Sequence, residues 1–158
     1  MRSLIFVIFF LVGSVAFAQP QLSPNAPEDK PQTLRANDLQ AFEAAIAPHV
    51  AKAKDTYPAA KSRFLSGLPQ GQMFFVTTRL SDGPGKFEQI FVAVQSIEGG
   101  AVSGTVASEV RRVYGYGLGD SYTFPESQVM DWLITYPDGS EEGNFVGKFL
   151  DTYRRGGA

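Results

Sequence analysis

The sequence predicts an α+β fold, in which N-terminal helices pack on a bent antiparallel sheet of four to five strands. Apolar residues recur at helical spacing up to about residue 67, and they alternate with polar residues from about residue 73. The strands that follow are short and are joined by tight turns, which is typical of an antiparallel meander. An SH3-like, partly closed barrel is an alternative arrangement of the same strands.

The helical region is predicted to consist of three pieces. The first begins at Asn37 or Asp38, and its apolar stripe is Leu39, Phe42, Ile46 and Val50. Proline lacks a backbone donor and clashes with the preceding turn, so Pro48 predicts a kink or a break in the helix near Ala47. A second helical stretch then covers 49–56, and a third covers 58–67, with proline at its first position.

The predicted strands follow in order, each bounded by a turn. They are MFFVTTRL at 73–80, FEQIFVAVQSI at 87–97, AVSGTVA at 101–107, a strand entered at Tyr122, and a strand at 129–136. Gly104 inside the third strand predicts a bulge or a sharp bend. The segment 144–153 could be a strand or a helix, and the spacing of four between Phe145, Phe149 and Tyr153 favours the helix.

The N-terminus predicts export of the chain. Residues 1–18 carry Arg2, an apolar run and an Ala-x-Ala site ending at Ala18, which is the pattern of a cleaved signal peptide. The proline-rich segment 19–36 is predicted to be a disordered tether, and 37–155 a single domain. We therefore expect a periplasmic or secreted protein with no membrane span once the signal is removed.

Composition excludes several classes of function. The formal net charge is −2, whereas nucleic-acid-binding proteins present a basic face, so no nucleic-acid partner is expected. The chain has no cysteine and one histidine, His49, so neither a zinc site nor a nucleophile–histidine arrangement is predicted. No cofactor is expected.

The stretch VYGYGLGD, at 113–120, superficially resembles a phosphate-binding glycine loop. A dinucleotide fingerprint needs a helix after its glycines, and a P-loop needs Gly-Lys-Ser/Thr. Here Pro125 forbids an immediate helix, and the P-loop pattern is absent. The glycines therefore predict a turn-rich loop that leads into the next strand.

Four residues beside and within this loop are candidate binding residues. Arg111 and Arg112 could clamp an anion, and Tyr114 and Tyr116 could stack on a sugar or another flat group. The competing interpretation is a solvated strand end, with the tyrosines covering the core.

Three carboxylates are the candidate acids of a hydrolase. Glycoside hydrolysis commonly uses two carboxyl groups, and Asp120, Glu126 and Asp131 lie within twelve residues of one another. Asp120 and Asp131 are also candidate binding residues, and Arg111 or Arg112 is the predicted partner of Asp131 in a structural ion pair. The adjacent Trp132 could be a sugar platform, but its apolar neighbours favour a core position.

Four stretches of the chain resemble a bacterial family, the YegJ-like proteins with domain of unknown function 2314. They are AKDTYPAAKSRFL, MFFVTTRLSDG, FEQIFVAVQSIEGGAVSGTVASE and GLGDSYTFPESQVMDWLI, and the resemblance extends from Lys52 to Tyr153. The chain departs from the family at Phe91, where tryptophan is usual, and after Ala107, where an Asn-Pro-like pair is usual. The resemblance implies a shared α+β domain and implies no activity.

Together these features predict a secreted or periplasmic binding module without catalysis, whose partner is an unknown protein or envelope ligand. One alternative is a cell-envelope hydrolase that uses the acidic residues named above. Another is an inhibitor or immunity-type protein that occupies the active site of a partner.

Overall fold

A computed structural model describes residues 36–83 and 86–153. The predicted signal segment 1–18 and residues 19–35 of the predicted tether lie outside these residues. The elements are α1 (Ala36–Leu65), β1 (Met73–Gly83), β2 (Lys86–Glu98), β3 (Ala101–Val106), β4 (Ser121–Pro125), a short 3₁₀ helix (Glu126–Gln128), β5 (Asp131–Thr135), β6 (Glu141–Gly143) and α2 (Phe145–Thr152).

The predicted α+β class is confirmed, with six strands in the described residues. The sheet order is β4-β3-β2-β1-β5-β6, and every pairing is antiparallel. β4 and β6 lie at opposite edges, so the sheet is not closed into a barrel. The sixth strand was not predicted, because β6 has three residues and follows a turn directly.

Of the kink or break predicted near Ala47, the break was wrong, because α1 is one continuous helix of 30 residues with both Pro48 and Pro58 inside it. The carbonyl groups that lose their donors to these prolines belong to Ala44 and Lys54, four residues earlier. Both residues lie on the exposed side of the helix, where water can replace the lost hydrogen bond. The opposite side of the helix packs against the sheet, which stabilises the continuous helix.

The main core lies between α1 and one face of the sheet. Ala53, Tyr57 and Ala60 of α1 pack against alternate residues of β1, including Phe74 and Val76. Further buried residues of β1, of the other strands and of the connecting loops complete this cluster, namely Leu80, Ile90, Val92, Ile97, Val102, Val106, Val113, Phe124, Val129, Trp132 and Ile134. Alternation along β1 thus selects the face that receives the helix.

The predicted helix at the C-terminus is confirmed as α2, and it packs beside the first half of α1. Val146 of α2 is buried with Phe42 and Ile46 of α1. His49, the single histidine, is half-buried and stacks on Phe149 with ring centroids 4.2 Å apart. Neither helix in the described part of the chain has the length and apolar character needed to cross a membrane.

Gly104 lies beside an irregularity in the sheet, as predicted. The register between β2 and β3 shifts between Val94 and Ser96, directly opposite Gly104. A Cβ atom at Gly104 would stand 2.1 Å from the carbonyl oxygen of Ala93. The close approach of two strands therefore requires glycine at this position.

Candidate functional site

The segment 107–120 connects β3 to β4, and a buried carboxylate holds its base. Glu88, on β2, faces the core side of the sheet opposite Leu80 and is buried. Its two oxygens accept hydrogen bonds from the backbone N–H of Arg111, at 3.2 and 3.0 Å, and one accepts from Arg112 at 2.9 Å. Hydrogen bonds to an ionised acceptor are stronger than neutral ones, so this contact fixes the backbone where the loop leaves the core.

Further contacts fix the rest of the loop. The carboxylate of Asp82 accepts the Tyr114 N–H at 3.0 Å, and Asp120 accepts the Gly117 N–H at 2.7 Å. The Gly119 N–H donates to the Val106 carbonyl at 2.8 Å. Asp120 therefore serves as a turn acceptor within the loop.

The glycines of this segment form turns. Gly115 and Gly119 have φ angles of 87° and 90°, a region that side chains with a Cβ atom disfavour. β4 follows these glycines, and no helix does, so they do not form a dinucleotide-binding loop. The prediction that they form turns is confirmed.

This loop exposes three large apolar side chains within five residues. Tyr114 is 79% exposed, Tyr116 is 39% exposed and Leu118 is 48% exposed. Leu65, 57% exposed at the end of α1, is the other large apolar side chain with this property among the described residues. We call Tyr114, Tyr116 and Leu118 the display loop.

The predicted binding residues divide between the display loop and its base. Tyr114 and Tyr116 belong to the display loop, whereas Arg111 and Arg112 lie at its base. The guanidinium of Arg111 pairs with the carboxylate of Glu109, at 2.8 Å. Arg112 is half-buried, and its backbone is held by Glu88 as described above.

An aromatic run extends from the display loop onto the sheet. Tyr116 contacts Tyr122 of β4 edge to face, with centroids 5.4 Å apart, and Tyr122 stacks on Phe124 at 5.3 Å. Partial burial, with a smaller contribution from Tyr116, raises the pKa of the Tyr122 hydroxyl. The ring of Tyr122 therefore continues the aromatic run from the display loop onto β4.

Asp131 lies apart from the display loop, at the start of α2. It is the first residue of β5 and is 1% exposed. One carboxylate oxygen accepts the Trp132 N–H at 2.8 Å, and the other accepts the Val146 N–H at 2.6 Å. The prediction that an arginine neutralises Asp131 was wrong, because these partners are backbone N–H groups.

The carboxylate of Asp131 caps α2 in place of the residue that precedes the helix. Asn144 occupies the N-cap position in the left-handed conformation, and its side chain makes no cap hydrogen bond. A negative group is favourable at a helix N-terminus, where unpaired N–H groups point outward. Burial nevertheless raises the pKa of Asp131 to about 6, against the opposing effect of the N–H groups of Val146, Trp132, Phe145 and Gly147.

The three candidate acids of a hydrolase are each bound in a different way. Asp120 accepts a backbone N–H within the loop, Glu126 pairs with Lys61 at 2.6 Å, and Asp131 is buried against α2. Within 36–83 and 86–153, no cluster of three or more His, Cys, Asp or Glu side chains could hold a metal ion.

A family model described as an uncharacterised protein conserved in bacteria, DUF2314, matches residues 43–152. The chain belongs to this family. The match covers well over half of the sequence and confirms the predicted resemblance. No curated protein and no solved structure matches the chain. Membership in DUF2314 thus assigns no ligand and no activity to the display loop.

Sequence reasoning missed the acids that hold the display loop in this DUF2314 chain. Glu88 follows Phe87 in a strand and looks like an ordinary solvent-facing acid. The available signal was its spacing, since Glu88, Ile90 and Val92 share one face of β2 and that face is otherwise apolar. A charged residue on an apolar strand face must have a polar partner, because an unpaired buried charge is strongly unfavourable.

We expect Glu88→Gln to loosen the display loop without unfolding the domain. An amide oxygen in the place of Oε2 can still accept both N–H groups, but it is uncharged, and the amide NH₂ group in the place of Oε1 then faces the Arg111 N–H. The expected loss in unfolding free energy is about 1 kcal/mol, because hydrogen bonds to a charged acceptor are replaced by weaker neutral ones. Hydrogen exchange should quicken at Arg111 and Arg112.

Glu98→Gln is the matched control, because Glu98 is an exposed acid on the same strand. Unchanged amide exchange at Arg111 and Arg112 in Glu88→Gln would contradict the anchoring role of Glu88.

Proposed function

We propose that the protein is a secreted or periplasmic binding module without catalysis, and that the display loop is its contact surface. The observation that carries this proposal is a cluster of exposed Tyr114, Tyr116 and Leu118 on a backbone fixed by buried Glu88. Large apolar groups gathered on a protein surface are a feature of interaction sites.

The fixed backbone favours binding for a physical reason. A flexible loop loses conformational freedom when it binds, which weakens the complex, whereas a loop already held in place loses less. Tyrosine adds a large apolar ring and a polar hydroxyl with few rotatable bonds, and it is enriched at interfaces. The base contacts of Glu88 and Asp82 therefore prepare the display loop for a partner.

Location and charge restrict the partner. The predicted signal peptide directs the protein to the cell envelope or beyond. The net charge of −2 disfavours nucleic acid and anionic membrane surfaces. A protein or a neutral envelope polymer is the partner class that fits both features.

The arrangement of acids supports binding over hydrolysis. A glycosidase needs two carboxyl groups facing one substrate. Here Asp131 is buried under the start of α2, Glu126 is paired with Lys61, and Asp120 is engaged inside its own loop. An inhibitor or immunity-type role is a special case of the binding proposal, in which the partner is an enzyme and the display loop covers its active site.

A capture experiment tests the proposal with matched variants. The full-length gene is expressed in its host with a C-terminal tag, and the protein is recovered from the envelope fraction with its partners. We expect Tyr114→Ala/Tyr116→Ala/Leu118→Ala to reduce recovery of a specific partner at least tenfold. Leu65→Ala, at an equally exposed apolar site, should recover the partner normally.

Stability of the variants is checked by thermal unfolding, because surface substitutions change unfolding free energy by less than about 0.5 kcal/mol. Equal recovery by the triple variant and by Leu65→Ala would contradict the assignment of the display loop. Release of a product from envelope polymer by the wild type would instead favour the hydrolase.

A further inference from the structure

A groove of about 880 Å³ lies between α1 and the sheet, next to the aromatic run. One stripe of α1 forms its first wall, namely Glu43, Ile46, Ala47, Val50, Ala51 and Lys54. The second wall comes from the sheet and the 3₁₀ helix, namely Arg79, Ser81, Phe87, Tyr122, Ser127, Gln128 and Met130. This volume is within the range of pockets that bind small ligands.

The two walls differ in chemistry. The centre of the helix wall is apolar, whereas the opposite wall offers hydroxyl, amide and guanidinium groups beside the rings of Phe87 and Tyr122. Gln128 uses its backbone carbonyl to accept the Thr78 hydroxyl, and its side-chain amide has no partner among the described residues. The groove therefore suits a ligand with apolar groups on one side and hydrogen-bonding groups on the other.

Arg79 supplies an unused donor in the groove wall. One of its terminal nitrogens pairs with Glu43, and the guanidinium lies 4.6 Å from the centre of the Phe87 ring. The Nε atom is buried and has no hydrogen-bond partner in the described part of the chain. The other terminal nitrogen, Nη1, also has no hydrogen-bond partner among the described residues and is not fully buried, so it can donate to an acceptor that a ligand brings.

The groove carries a net positive charge, although the whole chain is negative. Its charged groups are Glu43, Arg79 and Lys54. Glu43 neutralises Arg79, and Lys54 has neither an ion pair nor a hydrogen bond to any described side chain. Lys54 is therefore the group best placed to attract a ligand's negative charge.

Helix geometry gives the distance between the two polar ends. Glu43 and Lys54 are eleven residues apart on α1, which corresponds to about 16 Å at a rise of about 1.5 Å per residue. An extended peptide advances about 3.3 Å per residue, so about five residues would span this distance.

We infer that the groove binds a short extended peptide of about five residues, with its C-terminal carboxylate at Lys54. A peptide carbonyl accepts from Nη1 of Arg79 at the other end, and apolar peptide side chains pack on Ala47 and Val50. A peptide meets the two-sided chemistry of the walls, because its backbone hydrogen-bonds along one side while alternate side chains face the other. The inference is independent of the display-loop proposal.

Fluorescence anisotropy with paired peptide libraries tests this inference. The probes are fluorescein-labelled random pentapeptides with either a free C-terminal carboxylate or a C-terminal amide, added to the purified product of the full-length chain. We expect the carboxylate library to bind at least tenfold more tightly than the amide library. We also expect Lys54→Ala to remove this preference.

Lys52→Ala is the matched control, because Lys52 is an exposed lysine of α1 outside the groove. It should bind both libraries as the wild type does. Absence of binding by the carboxylate library, equal binding of the two libraries, or an equal effect of Lys52→Ala would overturn the inference. Saturable binding of sodium decanoate with no peptide binding would identify a lipid-like acid and would also overturn it.

Discussion

Trp132→Ala is expected to lower the free energy of unfolding by about 3–5 kcal/mol, as removal of a large buried aromatic side chain does. Trp132 is almost fully buried in the main core between α1 and the sheet. Its indole N–H donates to the Ala53 carbonyl at 3.2 Å and to the Thr56 hydroxyl at 3.0 Å. The ring of Phe145 packs against it edge to face at 6.0 Å. One side chain thus joins β5 to α1 and to the start of α2.

Denaturant unfolding followed by circular dichroism measures this loss. Trp132→Phe is the control, since it retains a ring but loses the indole donor, and it should reduce stability by less than the alanine variant. Wild-type tryptophan fluorescence should be blue-shifted and poorly quenched by iodide. Efficient quenching of the wild-type fluorescence by iodide, together with a small loss of unfolding free energy in Trp132→Ala, would favour the sugar-platform interpretation of Trp132.

Asp131→Ala is expected to have the second largest effect, a loss of at least about 2 kcal/mol in the free energy of unfolding. The substitution removes the acceptor for the N–H groups of Trp132 and Val146, and a buried donor left unsatisfied costs about 1–3 kcal/mol. Hydrogen exchange at Val146 should quicken because α2 loses its cap. Asp55→Ala, at an exposed acid of α1, should change stability little.

The raised pKa of Asp131 predicts a pH dependence of stability with a definite sign. The folded-state pKa is about 6 and the ordinary value is 3.8, so the folded protein binds this proton more tightly than the unfolded chain. The contribution of Asp131 is therefore fully present below pH 3.8 and is lost as the pH rises through about 6. A pKa shift of this size corresponds to about 3 kcal/mol of unfolding free energy at low pH, relative to high pH. About 1 kcal/mol of this contribution is present at pH 5.

Comparison with Asp131→Asn isolates this effect from the other titrating groups. We expect the unfolding free energy of the wild type, relative to Asp131→Asn, to increase by about 1 kcal/mol when the pH falls from 7.5 to 5. Denaturant unfolding at the two pH values measures the difference. A constant difference would mean that Asp131 keeps an ordinary pKa in the folded protein.

Local pattern was enough to predict most of the elements. The alternation in MFFVTTRL predicted β1, and the spacing of Phe145 and Phe149 predicted α2. The break at Pro48 was wrong because proline's local penalty is outweighed when the helix on both sides packs on a sheet. β6 was missed because three residues carry too little periodicity to identify a strand.

The candidate site was predictable only in part. The sequence singled out Tyr114 and Tyr116, and their exposure follows from the glycines around them. The distant partners of Glu88 and Asp131 could not be predicted, because Arg112 lies 24 positions from Glu88 and Val146 lies 15 positions from Asp131. The groove could not be predicted either, because its two walls come from α1 and from segments that meet it only in the folded chain.

Photo-crosslinking at Tyr116 tests the central claim, that the display loop is a binding surface, most directly. The full-length chain is expressed in its host with the photoreactive amino acid p-benzoylphenylalanine in place of Tyr116, and in a second strain in place of Leu65. Illumination of intact cells should give a discrete adduct from position 116 and none from position 65. Absence of an adduct from position 116, or the same adducts from both positions, would contradict the claim.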